Sequence, residues 1–196
     1  MRSLRHSPPG SFYHVTARAN RQENLLGSRK AKDMFVQNLM ETRLLHACAV
    51  LDFVVMDNHI HLILDPGSQS GLSAIMKRIL GVFALRYNRA FESWCHVWGD
   101  RYFARPIDGL AALQTTIEYV DRNPVRAGLA DKPEEWRWGG LFCHRQGDPG
   151  IQGPPPPWLV LVSSPHARLG LGEGVGDRAE RGQTPALAEQ SPVTSP

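Results

Sequence analysis

"AVLDFVVMDNHIHLILD", residues 49–65, decides how the chain folds. Two runs of strand-forming residues flank Asp57 and Asn58, a tight-turn pair, which predicts a β-hairpin with strands over 49–57 and 59–65. Strand side chains alternate between faces, so His59 and His61 share one face while Ile60, Leu62 and Leu64 share the other. The apolar face calls for burial beneath other elements. The opposite face presents two imidazoles side by side, a half-site for a divalent metal. A lone histidine in a strand is most often a polar residue with a partner. Two at period-two spacing on one face are less often accidental, and a third ligand and a reactive group must come from elsewhere. A histidine-triad hydrolase would need another histidine where Ile63 stands. A two-histidine phosphoesterase would need a second histidine-x-Thr/Ser motif beside "HVT" at 14–16.

The flanking sequence builds outward from that hairpin. "FYHVTARA", residues 12–19, alternates and predicts a first strand. Ser28 stands as the cap of a helix reaching about His46, with Phe35, Leu39 and Leu44 on its core side. Leu72, Ile75, Met76, Ile79, Phe83 and Tyr87 recur at helical spacing, and Lys77, Arg78, Arg86 and Arg89 share that helix. "VWGDRYFARPI", 97–107, reads as a fourth strand or an extended arm. Asp108 is a plausible cap for a helix over 109–123 that carries Leu113, Ile117 and Val120, and Pro124 marks its end. The order is strand, helix, strand, strand, helix, then strand or arm. It resembles an α+β fold: a ferredoxin-like, split β-α-β antiparallel sheet with helices on one face. The other face would be open and would carry the two histidines.

Tyr119 and Asn123 lie four residues apart, on one side of the last helix and at the border of its apolar stripe. A helix docked by that stripe could aim both along its rim. The plainer alternative is a half-buried packing tyrosine and a polar helix-end asparagine.

Charge and composition frame these features. The chain has 196 residues, 42% of them hydrophobic, and a formal net charge of +3. Residues 1–145 hold 19 Lys and Arg against 14 Asp and Glu, whereas residues 146–196 hold 3 against 5. A moderately basic folded part suits a polyanionic partner without requiring one. Cys48, Cys95 and Cys143 are far apart and odd in number, which supports no disulfide framework or zinc knuckle. The basic N-terminus has no apolar run like a signal peptide, and no stretch approaches the roughly 18 apolar residues of a membrane span. The expectation is a cytoplasmic protein with no membrane partner. Residues 146–196 contain 9 Pro and 8 Gly, and this tail is expected to be disordered. A polyproline ligand at Pro154–Trp158 is its sharper alternative.

These motifs bear a family resemblance. "VVMDNHIHLIL" resembles the HUH motif, two histidines around a hydrophobic residue, of the single-tyrosine HUH transposases of the IS200-like kind. "IEYVDRNPVRAGL" resembles the nucleophile motif of their REP-associated tyrosine transposase branch. "FYHVTARANRQ", "LRYNRAF", "RYFARPI" and "DKPEEWRWGG" resemble, in order, further segments of that family. The resemblance runs from about residue 10 to 140 and makes that stretch the transposase domain. "ESWCHVWGDRYF" and the glycines of "WRWGG" depart from the family pattern.

The resemblance implies a chemistry. His59 and His61 would ligate Mg²⁺ or Mn²⁺, with Asn123 as third ligand, and Tyr119 would be the catalytic nucleophile forming a 5′-phosphotyrosine. The partner would be DNA, single-stranded or hairpin-bearing, and the protein a monomer or homodimer. Lys77, Arg78, Arg86, Arg101, Arg105, Arg122 and Arg126 would track phosphates, with Tyr102, Phe103, Trp94 and Trp98 stacking on bases. The rival reading is a nucleic-acid-binding protein of the same fold with a decayed catalytic site.

Overall fold

The computed structural model describes residues 11–67 and 69–147. Four strands, β1 (Phe12–Arg18), β2 (Ala49–Val55), β3 (His59–Asp65) and β4 (Phe103–Ile107), form one antiparallel sheet in the order β2-β3-β1-β4. Helix α1 (Arg29–His46) joins β1 to β2, and α2 (Leu72–Ala90) leads from β3 towards β4. This is the split β-α-β arrangement expected of the sequence. The segment left open between strand and arm is β4, an edge strand. It carries Pro106, which an edge tolerates because one side of its ladder faces away from the sheet.

The hairpin forms as its turn residues demand. Met56 donates its backbone N–H to the His59 carbonyl at 2.9 Å, closing a two-residue loop at Asp57-Asn58. Ser28 caps α1, its hydroxyl accepting from the Ala31 N–H at 3.2 Å.

Both helices of the split unit lie on one face. Phe35 and Leu39 of α1, with Ile75, Ile79 and Phe83 of α2, pack against Val15, Phe53, Ile60 and Leu62. Two polar contacts lock the helices together. Asn38 Nδ2 donates to the Ile79 carbonyl at 2.7 Å, and the Arg86 guanidinium bridges Glu41 at 2.6 Å.

The second face is half covered. Helix α3 (Leu110–Asp121) sets Leu113 and Val120 against Leu51, Val54, Met56 and Ile63. A bulge between Val50 and Asp52 lets Leu51 join this second cluster while Val50 stays in the first. Sequence alone predicts an open second face. These apolar side chains of β2 and β3 need a cover, and the stripe of α3 supplies it. Among the described residues, the part of this face over β1, β4 and the histidines of β3 stays open.

The start of α3 also differs from expectation. Asp108 makes no capping hydrogen bond, and the cap position is Gly109, at φ 85°. Beyond Arg122 the chain turns into the short helix α4 (Asn123–Arg126), then reaches α5 (Gly140–Arg145). The tail expected over 146–196, and Pro154–Trp158 within it, lie outside the described residues apart from 146 and 147.

Asp52 sits beside the bulge, fully buried. Its Oδ1 accepts the Phe53 N–H at 2.8 Å, while Oδ2 is buried without a partner. Burial first, and the charge of Asp121 second, raise its carboxyl well above the ordinary range. Above the ordinary value of 3.8 the unfolded chain releases a proton here that the folded chain keeps. Stability is therefore lost as pH rises through that window. Asp52→Asn is predicted to raise the melting temperature near pH 7, with the gain fading below pH 3.8. Calorimetric melting of both proteins across that range checks this, and an equal gain at every pH would contradict it.

Candidate active site

The uncovered half of the second face is a cleft of about 900 Å³. Its floor is built by three neighbouring strands in register. Thr16 pairs with His61 and Arg18 with His59 on one side of β1, and His14 pairs with Arg105 on the other. His14, Thr16 and Arg18 alternate with buried Tyr13, Val15 and Ala17, so the core fixes which side chains look into the cleft. The wall is the N-terminal half of α3, where Ala111, Ala112, Thr115 and Thr116 are small enough to leave the space open.

Three imidazoles and a phenol meet in this cleft. The rings of His14 and His61 stack with centroids 5.1 Å apart, and His14 Nε2 lies 2.9 Å from His61 Nδ1. His59 stands edge-on to His61 at 5.1 Å, and its Nδ1 is 2.7 Å from Asn58 Oδ1. From α3, the Tyr119 ring stands edge-on to His61 at 5.6 Å and to His14 at 5.9 Å. Tyr119 is 41% exposed, whereas His61 is 6% exposed.

Electrostatics keeps these imidazoles neutral. Burial, then the neighbours His59, His14 and Arg18, push His61 down to about 3. Burial and Arg105 lower His14, and burial and Arg18 lower His59 against the opposing pull of Asp57. A neutral imidazole keeps the lone pair a metal needs. Arg18 and Arg105 stand among the cleft residues and suit it to a phosphate.

The other residues singled out in the sequence divide by location. Arg105 and Phe103 line the cleft, and Phe103 is 59% exposed. The Arg126 guanidinium lies 5.7 Å over the Tyr119 ring. Arg101 and Arg122 are exposed outside the cleft lining. Lys77, Arg78 and Arg86 belong to α2, across the sheet from the histidines, and Arg86 is engaged by Glu41.

Tyr102 faces the helix side, packed in the core with its hydroxyl 3.3 Å from Ser73 Oγ. Trp98 packs against the same core, its Nε1 donating to the Leu80 carbonyl at 2.9 Å. Trp94 is exposed, outside the cleft lining.

Asn123 does not line the cleft. Its Nδ2 donates to the Tyr119 carbonyl at 2.7 Å and reaches that of Val120 at 3.4 Å. Among the described residues no group of three or more His, Cys, Asp or Glu is disposed to hold a metal ion.

The family model "Transposase IS200 like" matches residues 10–123. The chain belongs to the IS200-like transposase family. Membership in this family makes it a transposase-type enzyme. A REP-associated tyrosine transposase solved bound to a REP hairpin is similar in fold, with a TM-score of 0.61 and 19% identity. The match covers 77% of this chain and 87% of that one. A transposase candidate from Deinococcus radiodurans R1 has a TM-score of 0.46 and 18% identity, over 62% of this chain and 97% of that one. No curated protein matches in sequence. No helix among the described residues is long and apolar enough to cross a membrane.

His14, Thr16 and Arg18 of the cleft were not singled out as site residues from sequence. Period-two alternation in "FYHVTAR" places the three on one face, but only the register with β3 shows that this face is the one with His59 and His61.

His61 is predicted to stay neutral across ordinary buffers. Unfolding releases the depression, so between pH 6.5 and about 3 the unfolded chain binds a proton here that the folded chain refuses. The stability this group contributes is complete above 6.5 and is lost as pH falls towards 3. An NMR titration should show His61 ring resonances flat down to pH 5, and an inflection near 6.5 would contradict it.

Proposed function

We propose that the chain is a metal-dependent single-strand DNA endonuclease and strand transferase that works through a 5′-phosphotyrosine on Tyr119. The observation that carries this reading is the approach of the Tyr119 ring, from α3, to within 5.6 Å of the His61 ring on β3, beside a cleft that Arg18 and Arg105 make cationic. Nucleophile and histidines come from one chain, so a single subunit would suffice.

His59 and His61 would hold Mg²⁺ or Mn²⁺, with Asn123 as the third ligand. The two imidazoles suit such an ion, since both are depressed towards the neutral form; Asn123, whose Nδ2 is bonded to helix carbonyls outside the cleft lining, would have to bring its Oδ1 round to join them. Imidazole with an amide oxygen suits Mn²⁺ as well as Mg²⁺. An ion bound there supplies Lewis-acid polarisation of the scissile phosphodiester.

The protein's own groups do the rest. Tyr119 Oη attacks phosphorus and loses its proton, the P–O3′ bond breaks, and the 3′-hydroxyl leaves with a proton. The 5′ end remains on Tyr119 as a phosphodiester of similar energy, so the 3′-hydroxyl of another end can reverse the step and join strands without ATP. A neutral phenol is a weak nucleophile, so this step needs activation at the site. Arg126, over the Tyr119 ring, is suited to the phosphate that arrives there.

Single-stranded DNA beside a hairpin is the substrate this reading favours, supported by the REP hairpin bound to the similar transposase. Exposed Phe103 could stack on an unpaired base, and Arg105 could contact its phosphate. Arg101 and Arg122 would serve flanking phosphates. Lys77, Arg78 and Arg86 would serve only DNA that passes round to the α2 face, and Tyr102 is better assigned to the core. The second reading, a decayed DNA-binding protein, draws on one observation, the turn of the Asn123 amide towards its own helix.

A denaturing gel separates the two. With Mn²⁺ and a hairpin-bearing single strand, the wild-type protein should become covalently attached to a cleaved 5′ end. Tyr119→Phe should bind the DNA with little change and form no adduct. Adduct in the Phe variant would move the nucleophile elsewhere, cleavage without adduct would make the reaction hydrolytic, and no cleavage by wild type would favour the decayed reading.

A further inference from the structure

His59 and His61 each engage one ring nitrogen, and in both it is Nδ1. Asn58 Oδ1 meets His59 Nδ1 at 2.7 Å, and His14 Nε2 meets His61 Nδ1 at 2.9 Å. The orientation of Asn58 is fixed from outside the pair. Its Nδ2 donates to the Gln22 carbonyl at 3.2 Å, a group that can only accept, so Oδ1 is the atom turned to His59. A carboxamide oxygen accepts, so His59 Nδ1 carries the ring proton and Nε2 keeps the lone pair.

His14 meets His61 Nδ1 through its own Nε2, a nitrogen that accepts only when the His14 ring proton sits on Nδ1. It comes from β1, one strand over, and its ring lies nearly parallel to that of His61, at 18°. With the His14 proton on Nδ1, its Nε2 accepts from His61 Nδ1–H. His61 Nε2 is then the bare nitrogen.

We propose that Asn58 and His14 are positioning residues that keep the ring protons of His59 and His61 on Nδ1, so that both Nε2 lone pairs are presented as the ligand atoms. The inference rests on the metal reading above and adds which atoms ligate and what holds them. A neutral imidazole has one proton, and the bond made by one nitrogen decides which nitrogen carries it. In water the proton favours Nε2, the nitrogen that must be bare here. Partners that orient metal-bound histidines are typically worth roughly tenfold to a hundredfold in metal affinity.

Long-range ¹H–¹⁵N correlation spectra of the metal-free wild-type protein test the pinning directly and need no variant. His59 and His61 should both show an unprotonated Nε2. His14→Phe keeps an aromatic ring and removes the acceptor. It should let His61 take up Nε2–H and weaken Mn²⁺ binding, read by calorimetry, by roughly tenfold to a hundredfold. His14→Gln restores an acceptor oxygen and should recover both the tautomer and most of the affinity, which a merely space-filling role would not. A proton on Nε2 of wild-type His61, or an unchanged Mn²⁺ affinity in His14→Phe, would overturn the proposal. Failure of the wild-type protein to bind Mn²⁺ at all would overturn the metal reading itself, and the tautomers would still decide the pinning.

Discussion

The antiparallel pairing of β1 with β3 is the constraint on which the site depends. It runs from Tyr13 opposite Leu64 to Arg18 opposite His59. Strand side chains alternate, so a slip of one residue would turn His14, Thr16 and Arg18 into the core and bring Val15 and Ala17 to the cleft. Burial prevents that slip. Tyr13, Val15 and Ala17 are packed with Phe35, Phe83 and the apolar face of β3 in a single cluster. Because β1 is also paired with β4, the same register sets Phe103 and Arg105 against the histidines. One strand thus positions a cationic side chain, a second-strand imidazole pair and an exposed aromatic ring relative to one another.

Helix α3 completes the arrangement by covering only part of the face. Its seat is apolar, Leu113 and Val120 against Leu51, Val54, Met56 and Ile63. Its small residues Ala111, Ala112, Thr115 and Thr116 face the open half. Tyr119 stands beside the seat, next to buried Val120, and can remain 41% exposed while its helix is held. The hairpin turn is fixed independently. Buried Lys32 binds Asp57 at 2.6 Å and lies over the rings of Trp136 and Trp138 at 5.5 and 5.1 Å. That node ties the residue before Asn58 to α1 and to the closing segment. The same segment bonds the far edge of the sheet, with Trp136 Nε1 donating to the Val55 carbonyl at 3.1 Å.

Much of this was legible in the sequence for physical reasons. The hairpin, the cap at Ser28 and the stripe of α2 are local patterns, set by turn chemistry and by residues a few positions apart. The shared face of His59 and His61 needed only the period of a strand. Long-range register was not legible, and it is what brings His14 to within 2.9 Å of His61. The burial of Tyr102, expected to stack on bases, is not legible for the same reason. Its neighbours Arg101 and Phe103 are exposed, but alternation in the extended arm turns Tyr102 itself into the core. The cover over β2 and β3 could not be read either, since the bulge that swings Leu51 towards α3 leaves no clear mark in "AVLDFVV". Spacing put Asn123 on one side of the helix with Tyr119, and the resemblance gave it a ligand's role, but neither says which way an amide turns.

The central claim is that the histidine face of β3 is where a divalent ion and the nucleophile meet. Crystals of the protein grown with Mn²⁺ and measured at a wavelength where manganese scatters anomalously test it most directly. The account predicts one strong anomalous peak in the cleft, within coordination distance of Nε2 of both His59 and His61 and facing Tyr119. A peak bonded to Nδ1, a peak elsewhere on the molecule, or a cleft without one at saturating Mn²⁺ would contradict it.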